Sequence, residues 1–381
     1  MVTGHAGSQM RDVLVTDRAG LRTLHGHDLS FGRSRGWSRC GRRAHAADRC
    51  DCRRMPPCVV LLHMKLILWG TLLAVPLAGQ VRIAQHGIEV ISVEIKGKPF
   101  TEFFIGPENN KPYLHPLRAA SGKIVTRGYP MEDIAGETHD HPHHRGLWFS
   151  HGDVNGFDFW ANEQRGGKFG RIVLKKVNGV TSGKESGAID ATFEWRDPTG
   201  KPLLSEARVT TFYSQPKTRT MDFDITLTAI EKVTFGDTKE GTFALRLASA
   251  LEEPRADAPA QPKRTGRMVD SQGREGEKEI WGKRADWVDY YGVVEGEALG
   301  VAIFDHPSNP RHPTYWHARG YGLFAANIFG LHDFEHDNTK NGSLTLAPGE
   351  TLRFRYRVVI HPGNVHSAHI AKLYADYAGG Q

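Results

Sequence analysis

The chain has 381 residues, of which 24% are charged, and its formal net charge is +6. The whole of that excess lies in residues 1–63, which contain 11 Arg and 5 Asp but no Lys or Glu. The remaining chain is therefore neutral, which argues against nucleic acid as a partner, because nucleic-acid-binding proteins carry a basic surface. Its length of roughly 300 residues is enough for one large domain.

The first 80 residues divide into a basic leader and an apolar segment. Residues 1–63 hold all four cysteines and show little hydrophobic periodicity. Residues 64–79 begin with Met-Lys, continue as an apolar run and end with small residues, which is the layout of a secretory signal peptide. We predict that residues 1–63 are a spurious or disordered leader and that residues 80–381 are the mature chain. That chain would be exported, periplasmic or extracellular, and without a membrane span.

Two other interpretations of the leader are open at this point. Its arginines could form a basic tail that binds nucleic acid. Its cysteines, Cys40, Cys50, Cys52 and Cys58, could bind zinc, although their spacing matches no common zinc motif. The apolar run that follows directly favours the signal-peptide interpretation.

The body of the chain is dominated by short runs with strand character. Residues 221–227 alternate strictly between apolar and polar side chains, so one face of that strand is buried and the other is wet. Similar runs and turn signals recur at short intervals: strands at 88–95, 191–195, 208–213, 242–247 and 299–304, and turns at 178–179, 197–200 and 348–349. The pattern predicts an all-β protein, a large antiparallel β-sandwich that occupies residues 80–381 as a single domain. Residues 252–280 are predicted to form a long loop, and residues 365–378 a short C-terminal amphipathic helix.

Five histidines fall between residues 139 and 151. Pro142 excludes a helix there, and in a strand Arg145, His151 and Asp153 would share one face. That face would offer imidazole, guanidinium and carboxylate groups to one ligand, with His143 joining them across a turn. The alternative is that the histidines before Arg145 decorate a solvated loop and that His151 is a hydrogen-bonded sheet residue.

A second polar segment spans residues 305–319. Its prolines recur at every third position, which favours polyproline II geometry and would align His306, Asn309 and His312 along one edge. His317 and its alternate neighbours would then line one face of a strand. Aromatic side chains beside His, Asn and Arg suit a sugar, which offers both an apolar ring face and hydroxyls. The alternative is a rigid proline loop with incidental polar residues.

Four runs carry a resemblance to a known family: residues 141–149, 151–156, 305–311 and 322–327. Together they resemble a bacterial secreted family labelled "methane oxygenase PmoA", and the resemblance covers residues 81–378. The strand-rich body is also similar to galactose-mutarotase-like supersandwich proteins. That similarity implies a sugar held on a concave sheet face, where a His acts as acid and a carboxylate as base.

These observations favour an exported carbohydrate-active protein that binds and transforms a sugar or oligosaccharide as an epimerase, lyase or hydrolase. The expected catalytic residues are His144, His151, Asp153, His306 and His317. The expected substrate-binding residues are His143, Arg145, Trp148, Asp305, Asn309, Arg311 and Trp316. We expect the segments 141–153 and 305–319 to lie side by side at the mouth of the sandwich.

Two alternatives belong to other functional classes. The first is a metal-dependent enzyme, in which a divalent metal would be the only cofactor and its ligands would be His143, His151, His306 and His317. The second is a non-catalytic sugar-binding module, in which Trp148, Trp160 and Trp316 stack on sugar rings and the histidines only form hydrogen bonds.

Removal of residues 1–63 should leave export and folding intact, because the signal peptide would then begin at the N-terminal Met64. The measurement is the amount of exported protein for the full chain and for a chain that starts at Met64. Export of the full chain together with failure of the shorter one would contradict the predicted leader.

Overall fold

The computed structural model describes residues 80–162, 167–256, 260 and 262–380. The predicted leader and signal peptide, residues 1–79, lie outside the described residues. Within them, the chain forms two eight-stranded antiparallel sheets and one two-stranded sheet. We call the eight-stranded sheets sheet I and sheet II.

Each large sheet combines strands that are distant from one another in the sequence. Sheet I has the spatial order β1 (Val81–His86), β2 (Val90–Ile95), β3 (Lys98–Phe104), β4 (Tyr113–His115), β5 (Leu147–His151), β11 (Gly241–Arg246), β16 (Leu323–Asn327) and β15 (Tyr315–Ala318). Sheet II has the order β12 (Arg267–Asp270), β13 (Trp287–Val294), β14 (Glu297–Asp305), β18 (Thr351–Pro362), β9 (Arg219–Ala229), β8 (Pro202–Tyr213), β7 (Ser186–Arg196) and β6 (Arg171–Thr181). β10 (Val233–Phe235) pairs with β17 (Leu344–Leu346).

The two large sheets pack face to face over one hydrophobic core. Phe149 of sheet I meets Trp195 and Phe354 of sheet II at ring-centroid distances of 6.0 and 5.4 Å. Phe223 of sheet II meets Phe243 of sheet I at 4.9 Å. Alternate residues along each strand supply these inward side chains. The predicted antiparallel β-sandwich is therefore confirmed.

The helices are short. They are α1 (Glu277–Ile280), α2 (Leu331–Phe334), α3 (Ile370–Gly379) and a 3-10 turn at Ser249–Leu251. The predicted C-terminal helix is present as α3, but it begins later than expected because His369 has a left-handed φ of 55°. Its Tyr374 and Tyr377 pack on Phe304 of sheet II. Every helix among the described residues falls short of the length and apolarity that crossing a bilayer requires.

Three local predictions are wrong. The turn signal at 178–179 lies inside β6, where it forms an irregularity in the pairing with β7 instead of a turn. Residues 252–280 contain β12 and α1 and are not a continuous loop. The proline segment forms consecutive turns in place of polyproline II, because the Asp305 carboxylate accepts hydrogen bonds from Asn309, His312 and Thr314.

A buried ion pair lies in the core between the sheets. Glu206 accepts hydrogen bonds from Arg208 at 2.7 Å and from the Trp195 indole N–H at 2.7 Å. The Arg208 guanidinium lies 5.1 Å from the centroid of the Phe193 ring. Both charged side chains are almost fully excluded from solvent. Loss of one partner would therefore leave an uncompensated charge in an apolar region.

We predict that Arg208→Leu lowers the free energy of unfolding by about 3–5 kcal/mol, because it strands the Glu206 carboxylate. A second change, Glu206→Gln, should restore most of the loss, because the amide still accepts from Trp195. Urea denaturation at pH 7 measures both. Arg353→Leu, which breaks the exposed pair with Asp224, is the matched control and should cost at most about 1 kcal/mol. Equal effects of the two arginine substitutions would contradict the prediction.

Candidate functional site

The two faces of β5 have different environments. Leu147, Phe149 and His151 point into the core, and Trp148 and Ser150 point to the other side of sheet I, which we call the outer face. His151 is fully buried, donates to the Gly236 carbonyl at 2.8 Å, and has its pKa lowered to about 4 by burial. These contacts fit the alternative of a hydrogen-bonded sheet residue, and they place His151 on the opposite side of sheet I from the histidine loop.

The outer face of sheet I has a floor of small residues between larger ones. One row of cross-strand partners runs over five strands in the order Tyr113, Trp148, Ala244, Ala325 and His317. The two alanines lie between the indole and the imidazole, and all four side chains are buried. Adjacent strands lie about 4.8 Å apart, so Trp148 and His317 are separated by about 14 Å along the row.

The segment 138–146, which we call the histidine loop, is held over this floor by one arginine. Arg127 has no solvent exposure, and its guanidinium donates to the backbone carbonyls of Thr138, Asp140 and His141 at 2.9–3.2 Å. It also pairs with the Asp140 carboxylate, which Arg246 of β11 contacts at 3.0 Å from the other side. Burial and the neighbouring Arg246 charge lower the pKa of Arg127 to about 10.

Two histidine rings of the loop stack in parallel between the rings of Trp148 and Tyr321. Trp148 stacks on His144 at 5.2 Å, His144 on His141 at 4.7 Å, and His141 on Tyr321 at 5.4 Å. Trp148 is 1% exposed and one of its faces is covered by His144. It is therefore not the sugar-stacking wall that the sequence suggested. His143 is also buried, edge-on to His144, and burial lowers its pKa to about 2.

Hydrogen bonds define the protonated nitrogen of two site histidines. Arg246 donates to Nδ1 of His144 at 3.2 Å, so the proton of this neutral imidazole is on Nε2, a buried atom without a partner. The Lys239 carbonyl accepts from Nδ1 of His317 at 3.0 Å, which leaves the lone pair of His317 on Nε2. Burial lowers the pKa of His317 to about 3 and holds that of His144 well below its usual range. One imidazole is therefore a hydrogen-bond donor and the other an acceptor.

Glu240 is the carboxylate that the sequence analysis missed. It directly precedes β11, its backbone carbonyl accepts from the Gly152 N–H at 2.7 Å, and its side chain is 36% exposed. Burial raises the pKa of this carboxyl, and nearby Lys239 and His141 oppose the rise. A carboxyl with a raised pKa that solvent still reaches is suited to proton exchange. No motif marks it, because its neighbours come from other strands.

Several predicted site residues lie elsewhere. Asp153 accepts from the Gly156 backbone N–H at 2.8 Å in a turn. Trp316 is buried in the core and donates to the Ala285 carbonyl at 2.9 Å. Arg311 holds the Ile328 carbonyl at 2.9 Å. These hydrogen bonds engage the polar side chains of the three residues within the fold, without a ligand.

The segment 305–312 does not reach the outer face of sheet I. Asp305 and Asn309 hydrogen-bond each other at 2.7 Å, and Asn309 also donates to the Arg355 carbonyl. His306 lines a separate cavity of about 440 Å³ on the far side of sheet II, beside Tyr213 and Arg357. The predicted meeting of the two segments is therefore limited to His317. Arg145 stays close to the site, with its guanidinium 5.7 Å from the Tyr113 ring.

The four histidines proposed as metal ligands do not converge. His143 and His317 lie on the outer face, His151 lies in the core, and His306 lines the cavity of sheet II. Within the residues that the structure describes, no group of three or more His, Cys, Asp or Glu side chains is placed to hold one metal ion. The geometry does not support this ligand set.

Comparisons with known proteins identify a family and distant structural matches. The sequence model of a family of unknown function, DUF6807, matches residues 90–375. No curated protein sequence matches the chain. The label "methane oxygenase PmoA" gains no support from these matches.

Among solved structures, one match is the galactosidase domain of an α-galactosidase–sucrose kinase, at 10% identity and TM-score 0.38, covering 74% of this chain and 42% of the other. Another is galactose 1-epimerase from Lactobacillus acidophilus, at 9% identity and TM-score 0.36, covering 74% and 99%. A third is a galactose mutarotase-like protein from Clostridium acetobutylicum, at 9% identity and TM-score 0.34, covering 74% and 98%. The chain thus spans about two fifths of the length of the galactosidase it matches. Overlaps at this level assign no function.

We predict that His144 stays neutral, with its proton on Nε2, between pH 8 and pH 5, because burial and Arg246 oppose a second proton. His361 is the matched comparison: burial alone would lower its pKa, but the Asp289 carboxylate at 2.9 Å outweighs burial and raises it. Two-bond ¹⁵N–¹H correlation spectra distinguish the tautomers and the charged form. A charged His144 ring at pH 6 would contradict the assignment.

Proposed function

We propose that the outer face of sheet I binds a sugar and transforms it by acid–base chemistry. The chain belongs to DUF6807, a family of unknown function. The observation that carries the proposal is that a buried, unpartnered His144 N–H and a partly exposed Glu240 carboxyl, whose pKa burial raises, both neighbour His141 of the histidine loop. The predicted signal peptide adds export to the proposal.

The floor and its rim provide the features that a sugar requires. Ala244 and Ala325 are fully buried, so a flat sugar ring would reach them only when one of the rings stacked nearby moves aside. Donor and acceptor groups lie at the two ends of the floor, at His144 and His317, and match hydroxyls that both accept and donate. The rim is about one third exposed at Glu240 and Arg319. A small molecule can therefore reach it from solvent.

The roles of the residues follow from their protonation. His144 cannot serve as a charged acid, because burial keeps it neutral, so it donates a hydrogen bond from Nε2 to a substrate oxygen. Glu240 exchanges the proton, because its raised pKa brings it closer to neutral pH. Tyr321, whose pKa burial raises to about 12, remains protonated and orients the ligand.

The non-catalytic sugar-binding module is the second candidate. The stacked rings of His141, His144 and Trp148 favour this candidate. They occupy the position from which a catalytic group would otherwise contact the sugar. The partly exposed Glu240 carboxyl, whose pKa burial raises and which neighbours His141 of the histidine loop, favours the enzyme, because perturbed carboxyls cluster at functional sites.

The test is a panel of monosaccharides and oligosaccharides, with binding measured by calorimetry and products by NMR. Glu240→Gln should lower turnover by ~100-fold or more and leave binding within a few-fold of wild type. Glu231→Gln, in an exposed pair with Lys201, is the matched control and should be without effect.

Three outcomes separate the candidates. Binding without any product supports the binding module. Wild-type turnover in Glu240→Gln contradicts the assigned base. Absence of binding to every sugar in the panel contradicts the proposed function. Treatment with a chelator should change neither binding nor turnover, because the proposal does not use a metal.

A further inference from the structure

Three N–H donors lie together at the Trp148 end of the outer face. They are Nε2 of His144 and Nε1 of Trp148 and Trp160, and all three atoms are buried without a hydrogen-bond partner. Their rings adjoin one another, with centroids 5.2 Å apart for His144 and Trp148, 5.0 Å for Trp148 and Trp160, and 5.8 Å for His144 and Trp160. Buried donors are almost always paired, so these three leave hydrogen-bonding capacity that an acceptor on a ligand would satisfy.

The chemistry of these donors restricts what such an acceptor can be. An indole N–H only donates, and Arg246 fixes the His144 proton on Nε2. A ligand hydroxyl would accept one of these bonds but would bring a proton of its own into the cluster. A carboxylate oxygen only accepts. The unpaired hydroxyls of Ser150 and Thr242, which are cross-strand partners on the same face, add two more groups with protons to donate.

The buried charges around the cluster favour an anion as well. Arg127 and Arg246 are both without solvent exposure and share the single carboxylate of Asp140. Glu137, the next acidic group to act on Arg127, is bound to the backbone N–H groups of Gly128 and Tyr129. Two guanidiniums with one directly bonded carboxylate leave a positive potential, which is weakly screened because the region is buried.

We propose that the ligand is an acidic sugar, such as a uronate, whose carboxylate binds the N–H groups of His144, Trp148 and Trp160. This inference rests on the proposed function, because it names the sugar class that the same site takes. The neutral part of the sugar then extends toward His317 through the space that the His141 ring occupies in the stack.

His141 controls access to the cluster. Its ring covers His144 in the stack, yet its side chain is 41% exposed and its backbone has a left-handed φ of 44°. That conformation is uncommon for a residue other than glycine and is found where the surrounding structure enforces it. An entering carboxylate displaces this ring, which solvent already reaches.

The test compares pairs of sugars that differ only in the group at C6: glucuronate with glucose, galacturonate with galactose, and mannuronate with mannose. Calorimetry on the mature chain should show at least tenfold tighter binding of one acid than of its neutral partner, because hydrogen bonds to a charged acceptor are stronger. Trp148→Phe and Trp160→Phe retain an aromatic ring and remove the indole N–H. Each should reduce the ratio of acid affinity to neutral-sugar affinity several-fold.

Trp287→Phe, the same substitution on β13 of sheet II, is the matched control and should leave the preference intact. Circular dichroism confirms that each variant is folded. Equal affinity for acid and neutral sugar overturns this inference and leaves the proposed function standing. Binding of no sugar at all overturns both. Tighter binding of glucose 6-phosphate than of glucuronate, or an unchanged preference in both Trp→Phe variants at the site, overturns the carboxylate assignment.

Discussion

The guanidinium of Arg127 is the constraint on which the rest of the site depends. The histidine loop has no regular secondary structure, so its backbone carbonyls need partners from elsewhere. Arg127 supplies them for Thr138, Asp140 and His141, and thereby places the loop on sheet I. Asp140 then connects Arg127 to Arg246. Through this chain of contacts one buried charge holds the backbone of the loop and links it to β11.

Such a clamp is costly to bury and is not an obvious source of stability. Ion pairs removed from water often stabilise no more than apolar residues of the same size would. What the clamp provides is a defined orientation: Arg246 reaches Nδ1 of His144 and decides which nitrogen carries the proton. The same logic does not apply to Glu206 and Arg208, which lie in the core and contact no site residue. There the pair satisfies the Trp195 indole and the aromatic rings around it.

Sequence alone predicted the sandwich because alternation of polar and apolar residues is a local property of each strand. It predicted the histidine loop as part of a site, but of the three residues that it placed on one strand face, Arg145, His151 and Asp153, only His151 lies in β5. It failed to decide which face is buried, although Leu147 and Phe149 are the apolar pair that a core requires. Glu240 and Arg127 could not be found in this way. Their importance comes from residues that are distant in the sequence and adjacent only after the strands pair.

His144 and His317 show why a count of histidines says little about chemistry. Both are buried, both are neutral, and they lie at opposite ends of one alanine floor. A guanidinium beside Nδ1 makes His144 a donor at Nε2, and a backbone carbonyl beside Nδ1 makes His317 an acceptor at Nε2. The same side chain therefore has opposite roles, set by the single partner that its other nitrogen meets. The proposed ligand, acidic at one end and rich in hydroxyls at the other, would be oriented by such a pair.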